Sequence, residues 1–91
     1  MGYMWITGVV IDDRGRILPS VTIEASGPAA VHRRVVISNA HGQYVMQDLA
    51  PGTYTITFAH PGFTTLRRTT IDLSPLVATI NARLIPDSCR Q

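Results

Sequence analysis

The chain has 91 residues, 45% of them hydrophobic, and a formal net charge of +2 at pH 7. This composition favours a globular fold over a disordered chain, and so small a charge predicts no nucleic acid or other polyanion as a partner. All eight basic residues are arginines, which excludes lysine chemistry, and the single cysteine, Cys89, excludes an internal disulfide.

A chain of this length predicts one small domain, which we expect to span residues 1–91 with its core in 4–85. The tail at 86–91 is expected to fray, with Cys89 either a free thiol or paired with another chain. No apolar run reaches the roughly 18 residues of a membrane span, so we expect no membrane insertion. The first residues also lack the features of a signal peptide, so the protein is either retained or has lost its leader.

The predicted secondary structure is entirely β. The first strand has apolar residues on both faces, which a strand with one solvated face does not need. Shorter alternating segments bounded by turn residues follow. Seven strands are predicted, at 3–11, 21–26, about 32–38, 43–46, 53–58, 63–73 and 76–85, with turns at 12–15, 39–42, 50–53 and 60–62. Short strands in this number predict a sandwich of two antiparallel sheets.

The clearest local signal is a turn followed by a strand. Pro51 presets φ and Gly52 tolerates positive φ, so residues 50–53 fit a type II turn. The strand at 53–58 then alternates threonine with large apolar residues, so that one face is buried. The residues predicted to face the core by such alternation are Val21, Ile23, Ala25, Tyr44, Met46, Tyr54, Ile56, Phe58, Ala78, Ile80, Ala82 and Leu84, with Leu49 in a loop.

The segment at 63–73, which follows the turn at 60–62, alternates less regularly. A single strand over 63–73 would place Arg67 on the same face as Ile71 and Leu73, and burying an arginine without a partner is costly. We therefore expect a bulge or an edge segment near Arg67 and Arg68.

The residues that usually carry chemistry form no catalytic constellation. His32, His41 and His60 are scattered, with no cysteine or carboxylate at ligand spacing, whereas zinc needs three or four converging ligands. Asp12 and Asp13 suit a turn, with calcium binding as the alternative. The sequence predicts no catalytic residue, no metal, no cofactor and no enzymatic activity.

Two arginine pairs, Arg33-Arg34 and Arg67-Arg68, could form an anion-binding patch. Neighbouring residues on a regular strand point to opposite faces, so neither pair presents two charges on one surface unless its strand is irregular. We expect structural or solubility roles for both pairs.

The candidate contact surface is the odd-numbered face of the first strand, with Tyr3, Trp5, Val9 and Ile11. If the even-numbered residues fill the core, these four form an outward apolar row, and such a patch usually marks a partner surface. Two alternatives remain: aromatic stacking on sugar rings, and fraying or folding over of residues 1–5. An edge position for this strand would add unpaired backbone groups, ready for strand addition.

Five motifs follow one another between Ile6 and Phe63, within a match that runs from about Ile6 to Leu84. They are Ile6-x-Gly8-x-Val10-x-Asp12-x-x-Gly15, Leu18-Pro19-x-Val21-x-Ile23, Ser38-Asn39-Ala40-His41-Gly42-Gln43-Tyr44, Asp48-Leu49-Ala50-Pro51-Gly52-Thr53-Tyr54-Thr55-Ile56 and Pro61-Gly62-Phe63. Their order and spacing resemble those of carboxypeptidase regulatory-like domains. Two departures are Pro19-Ser20, where Pro-Gly is usual, and His41, where Asn is common.

The resemblance implies a transthyretin-like (prealbumin-like) β-sandwich, a non-catalytic accessory module of metallocarboxypeptidases, TonB-dependent receptors and bacterial surface proteins. It also implies an extracytoplasmic location, in the periplasm, at the cell surface or secreted, which favours a removed leader. We expect contact with a neighbouring domain or another protein chain, self-association included. A carbohydrate-binding module on the same type of sandwich is the alternative.

Overall fold

The structure is a computed structural model that describes residues 4–27, 33–49, 52–73 and 77–87. Within these ranges no helix is long and apolar enough to cross a membrane. The strands are β1 (Met4–Ile11), β2 (Thr22–Ser26), β3 (Arg34–Ile37), β4 (Gln43–Leu49), β5 (Gly52–Ala59), β6 (Leu66–Leu73), β7 (Val77–Thr79) and β8 (Ala82–Arg83).

Two sheets enclose one core. The first sheet has the order β4–β1–β7, and β8 also pairs with β1; the second has the order β3–β2–β5–β6. This confirms the all-β sandwich predicted from the sequence. The seven predicted strands are all present, since β7 and β8 are the two parts of the strand predicted at 76–85.

Two pairings, both made by β1, differ from the antiparallel arrangement that was predicted. β1 runs parallel to β7 and β8, which matches Ile6 with Ala78 and Val10 with Ala82. The other paired strands in the described ranges are antiparallel. The chain reaches β7 from β6, which belongs to the other sheet, so no hairpin turn imposes an antiparallel pairing with β1.

The last predicted strand is interrupted because the chain turns a carbonyl into the core at Ile80. A Cβ atom added to Gly8 would lie 1.9 Å from that carbonyl oxygen, so the oxygen fills the space of a missing side chain. The hydroxyl of Tyr44 donates to it at 2.5 Å. Asn81 Oδ1 in turn accepts the N–H of Val9 at 2.9 Å, replacing a backbone acceptor, so the break leaves these groups paired.

The core contains the residues that alternation predicted. Phe58 and Ile56 are fully buried, and Tyr54 is 1% exposed. Tyr44 of the first sheet meets Phe58 of the second edge to face, with ring centroids 5.9 Å apart. The other predicted core residues that are buried are Val21, Ile23, Ala25, Met46, Leu49, Ala82 and Leu84, while Ile80 is partly buried against them and the side chain of Ala78 is not among those described.

β6 is an edge strand with a bulge, as predicted from the position of Arg67 in the alternation of this segment. Ile56 pairs with Arg68 but Tyr54 pairs with Ile71, so β6 has one extra residue between these pairs. The bulge gives Arg68 the inward phase and leaves Arg67 on the outer face. Because β6 is an edge, Arg68 is still exposed, which avoids the cost of burying its charge.

Two of the predicted turns are built alike. Asp12 and Asn39 each accept, through Oδ1, the N–H groups of the residues two and four positions later, at 2.8–3.0 Å. Gly15 and Gly42 close these turns with φ values of 82° and 74°. Glycine adopts this left-handed region without steric cost.

The two remaining turns differ in how they match the prediction. The N–H of Phe63 donates to the carbonyl of His60 at 3.0 Å, which closes the turn predicted at 60–62. Of the type II turn predicted at 50–53, the first two residues lie outside the described ranges. Gly52 has the predicted positive φ, but its 151° is far from the roughly +80° of that turn position, because Gly52 already pairs with Leu73 in the sheet.

Candidate interaction surface

Three of the four residues predicted to form a contact surface lie on the outer face of β1. The even-numbered residues between them are buried, so the odd-numbered ones point away from the core. Trp5 is 44% exposed, whereas Val9 and Ile11 are partly buried. Tyr3, the fourth, lies outside the described residues.

β1 is a central strand, so the edge position considered for it is wrong. β4 pairs with it on one side, and β7 and β8 pair with it on the other. Its backbone is therefore engaged within the sheet, and strand addition by another chain does not apply to β1. A contact made by this row is made by its side chains.

Neighbouring segments widen the apolar row. Val45, opposite Thr7, is 44% exposed, and Ile17, bridged to Ile11, is 49% exposed. We refer to Trp5, Val9, Ile11, Ile17 and Val45 together as the outer apolar face. Sequence reasoning missed the last two, although Val45 alternates with two inward-facing residues of β4 and was identifiable by the same rule.

A groove of about 300 Å³ adjoins this face. Its described lining comes from β1, β6, β8 and the break before β8. Since β6 and β8 are edges of different sheets, the groove lies at a seam of the sandwich. The lining residues are Val9, Ile11, Arg68, Asn81, Ala82 and Arg83.

Charge and hydrogen bonding at this seam are set by two arginines. Arg83 donates to the carbonyl of Asp13, which ties its guanidinium to the loop after β1. Burial raises the pKa of Tyr44, and the positive charge of Arg68 opposes that rise. Tyr44 therefore remains a protonated hydroxyl at neutral pH, as its donation to the carbonyl of Ile80 requires.

The arginine pairs diverge, as strand geometry predicted. Arg33 lies 3.1 Å from Glu24 in a salt bridge whose arginine side chain is 75% exposed, so water screens the pair and it contributes little stability. Arg34 instead donates to the backbone carbonyl of Gln47 in the other sheet at 2.5 Å. The second pair divides in the same way. Arg67 lies on the outer side of the second sheet, and Arg68 lines the groove at the seam.

Asp12 has the turn role predicted for it. Its carboxylate accepts the N–H of Arg16 at 2.9 Å and that of Arg14 at 2.8 Å. The hydrogen bond from Arg16 is the main cause that lowers the pKa of Asp12; desolvation opposes it, and the bond from Arg14 adds to it. The carboxylate thus holds the turn as a hydrogen-bond acceptor.

The histidines do not converge in the described structure. His41 lies exposed in a turn, and His60 meets Phe63 edge to face with ring centroids 5.3 Å apart. His32 lies outside the described residues. Across the ranges that are described, no three histidine, cysteine or acidic residues gather where they could hold a metal ion.

The edge strand β3 has exposed apolar residues that the sequence did not reveal. Val35 is 54% exposed and Ile37 is 62% exposed. The run Val35-Val36-Ile37 is apolar throughout, so alternation could not show which of its residues point outward.

The fold is similar to several solved β-sandwiches at low sequence identity. One chain of an interface mutant of the type II cohesin–X-dockerin complex from Acetivibrio cellulolyticus gives a TM-score of 0.76 at 14% identity, over 89% of this chain and 56% of that one. Catechol 1,2-dioxygenase from Pseudomonas arvilla C-1 gives 0.73 at 13% identity, over 93% and 53%. A Bacteroides uniformis protein provisionally described as carbohydrate-binding gives 0.76 at 15% identity, over 94% and 43%. The chain thus spans about half the length of these solved chains, and what they share with it is the fold.

No curated protein matches the sequence. The family model for the carboxypeptidase regulatory-like domain matches residues 5–84. This range runs from β1 through β8 and contains the five motifs on which the resemblance rested. The chain therefore belongs to the carboxypeptidase regulatory-like domain family.

Proposed function

We propose that the chain is a non-catalytic accessory module that docks on a neighbouring domain or another protein chain through its outer apolar face. The observation that carries the proposal is Trp5, which is 44% exposed on a central strand, with Val9 and Ile11 on the same side. Tryptophan is enriched where protein surfaces meet, because its large ring loses much contact with water on binding.

The flanking residues support a contact made by side chains. Val45 and Ile17 are each more than 40% exposed beside the row. Burying a valine or isoleucine side chain completely is worth roughly 1.5–3 kcal/mol, before the cost of ordering two surfaces is subtracted. Several such residues on one face favour a partner over solvent.

The structural neighbours support an accessory role. The cohesin–X-dockerin chain and the dioxygenase chain are each nearly twice as long as the part that matches this sandwich, so further polypeptide accompanies it there. The first of them comes from a protein–protein complex. We extend the proposal to an extracytoplasmic assembly, the setting that the family resemblance implies.

The module is proposed to be non-catalytic. The family is described as regulatory-like, and the likeness to catechol 1,2-dioxygenase, at 13% identity, concerns the fold. The interaction surface is built from apolar side chains, which supply burial energy but no acid, base or nucleophile.

A carbohydrate-binding module is the second candidate. It is favoured by the exposed ring of Trp5, which could stack on a sugar, and by the Bacteroides uniformis neighbour provisionally described as carbohydrate-binding. Sugar hydroxyls also need polar side chains placed around the ring. The apolar Val45 beside the row favours protein contact instead.

The test uses the fact that Trp5 is the single tryptophan of the chain. We expect the solution mass from light scattering to rise above the 10.0 kDa of the monomer with increasing concentration, because the apolar face lacks its natural partner. Tryptophan fluorescence should shift to shorter wavelength over the same concentration range. The variant Trp5→Ser/Val9→Thr/Ile11→Thr should remain monomeric.

The matched control is Val35→Thr/Ile37→Thr, which removes exposed apolar side chains from β3 in the other sheet. It should associate like the wild type. A wild type that stays monomeric at high concentration, with a fluorescence that responds to oligosaccharides, would overturn the docking proposal in favour of carbohydrate binding. Equal loss of association in both variants would mean that association does not depend specifically on the outer apolar face.

A further inference from the structure

The groove beside the outer apolar face combines apolar and hydrogen-bonding groups in equal number. Three of its six described lining residues are apolar and three are polar. The polar residues are Arg68, Asn81 and Arg83, and none of the described lining residues is acidic. The sign of charge in this groove is therefore positive.

Asn81 contributes a hydrogen-bond donor whose orientation is determined by the sheet. Its Oδ1 accepts the N–H of Val9 at 2.9 Å. A backbone N–H can only donate, so this contact identifies the side-chain oxygen and leaves the amide NH₂ group as the donor. Oδ1 of Asn81 thus already accepts one hydrogen bond from β1.

Two arginines from different strands line the groove. Arg83 pairs in register with Ile11 and donates to the carbonyl of Asp13, which holds it beside β1. Arg68 comes from the edge strand β6, is exposed, and lines the groove. Guanidinium groups bind carboxylates through paired, charge-assisted hydrogen bonds that are stronger than neutral ones.

The apolar lining continues the proposed docking surface. Val9 and Ile11 belong both to the groove and to the outer apolar face. Ala82, which pairs with Val10, completes the apolar part of the lining. A ligand that fits both parts has an anionic group attached to an apolar body.

We propose that this groove binds the carboxylate of an aspartate or glutamate side chain on the polypeptide that docks on the outer apolar face. The polypeptide source rests on the proposed function, whereas the carboxylate rests on the donors of the groove itself. An apolar residue next to the acidic one would pack on Val9 and Ile11. A sugar acid fits less well, because its ring hydroxyls also need acceptors, whereas the polar lining is rich in donors and Asn81 Oδ1 already accepts one hydrogen bond from Val9.

The test is an amide NMR titration of the whole chain with the blocked peptide Ac-Leu-Glu-Leu-NH₂, compared with Ac-Leu-Gln-Leu-NH₂. The glutamate peptide should shift the signals of the Asn81 side-chain amide and the Val9 backbone amide. The glutamine peptide should bind at least about tenfold more weakly, which is the usual effect of losing one charge-assisted hydrogen bond.

Variants locate the binding to the groove. Arg68→Gln and Arg83→Gln should each weaken the glutamate peptide by about tenfold. Because Arg83 also ties down the loop after β1, Arg68→Gln is the decisive variant if Arg83→Gln fails to fold. Arg67→Gln is the matched control, since Arg67 lines a different groove with Glu24 on the outer side of the second sheet, and it should bind like the wild type.

The outcomes separate this proposal from the docking function. Equal binding of the two peptides, or no effect of Arg68→Gln, overturns the carboxylate site even if the outer apolar face still drives association. A response of the same signals to glucuronate or inorganic phosphate that equals the response to the glutamate peptide also overturns it, because the groove would then select any anion. Specific glutamate binding by a protein that stays monomeric supports the site and counts only against self-association.

Discussion

At the scale of single residues, short polar side chains determine where the chain reverses. Asp12 and Asn39 use the same atom, Oδ1, to accept two backbone N–H groups from the turn that follows. Gly15 and Gly42 then supply the positive φ that ends each turn. Both turns could be predicted from sequence, because every contact in them lies within four residues.

Asp12 differs from Asn39 in that it is charged, and this predicts a pH dependence. Backbone hydrogen bonds, that from Arg16 foremost, hold the pKa of Asp12 below its ordinary value. A carboxyl group with a lowered folded pKa adds stability above its unfolded pKa, and this contribution is lost as the pH falls through the folded pKa. We expect Asp12→Asn to keep the turn and remove this part of the acid destabilisation, whereas Asp12→Ala loses the acceptor at neutral pH as well.

Carboxyl NMR titration of the wild type and urea unfolding of the three proteins at neutral and acidic pH would measure both effects. An ordinary pKa for Asp12, or equal unfolding midpoints of Asp12→Ala and wild type at neutral pH, would show that the hydrogen bonds to Arg14 and Arg16 do not hold the turn in solution.

At the scale of strands, the alternation of buried and exposed residues could be predicted from the sequence, whereas the pairing of strands distant in sequence could not. Alternation identified Tyr54, Ile56 and Phe58 as buried, because a period of two is a property of neighbouring residues. The parallel pairing of β1 and the break between β7 and β8 depend instead on contacts such as that of Val9 with Asn81, 72 positions apart. No local pattern encodes such a contact.

The same division applies to the candidate site. The outward row of β1 followed from its odd-numbered phase, and Trp5 is exposed there. The groove did not follow, because Arg68 and Arg83 come from edges of different sheets that meet only in the folded chain. The bulge in β6 was expected from the cost of burying an arginine, but its consequence, an arginine at the seam, required the structure.

The break between β7 and β8 predicts an unusual sensitivity at Gly8. A methyl group there would meet the backbone oxygen of Ile80 at 1.9 Å and the ring of Tyr44 at 2.9 Å. Backbone cannot rotate away as a side chain can, so we expect Gly8→Ala to cost at least the roughly 1–3 kcal/mol typical of overpacked cores. Urea unfolding monitored by circular dichroism would measure it.

Thr7→Ala is the control for Gly8→Ala, because Thr7 precedes Gly8 on the same strand and is only partly buried. We expect Thr7→Ala to change stability by much less. Similar losses in the two variants would indicate that the carbonyl of Ile80 is not held over Gly8.

At the scale of the whole molecule, the sandwich is held by one apolar core with polar contacts at its margins. Tyr44 and Phe58 join the two sheets through their rings, and Arg34 reaches across to the carbonyl of Gln47 at one side. Ser38, the buried polar residue among those described, accepts the N–H of Val21 at 2.9 Å and donates to the carbonyl of Leu18 at 2.9 Å. These margins satisfy polar groups, while stability comes mainly from apolar burial.

The core therefore predicts that Phe58→Ala threatens the entire fold. Phe58 is fully buried on β5, a central strand of the second sheet, and its ring contacts Tyr44 of the first. Removing a buried phenylalanine ring costs about 3–5 kcal/mol, and the total stability of small domains is roughly 5–15 kcal/mol. We expect most or all of the cooperative urea transition to be lost, whereas Thr57→Ala, one position away with the opposite phase, should unfold nearly like the wild type. A Phe58→Ala variant with a near-wild-type midpoint would contradict the register that places both sheets on one core.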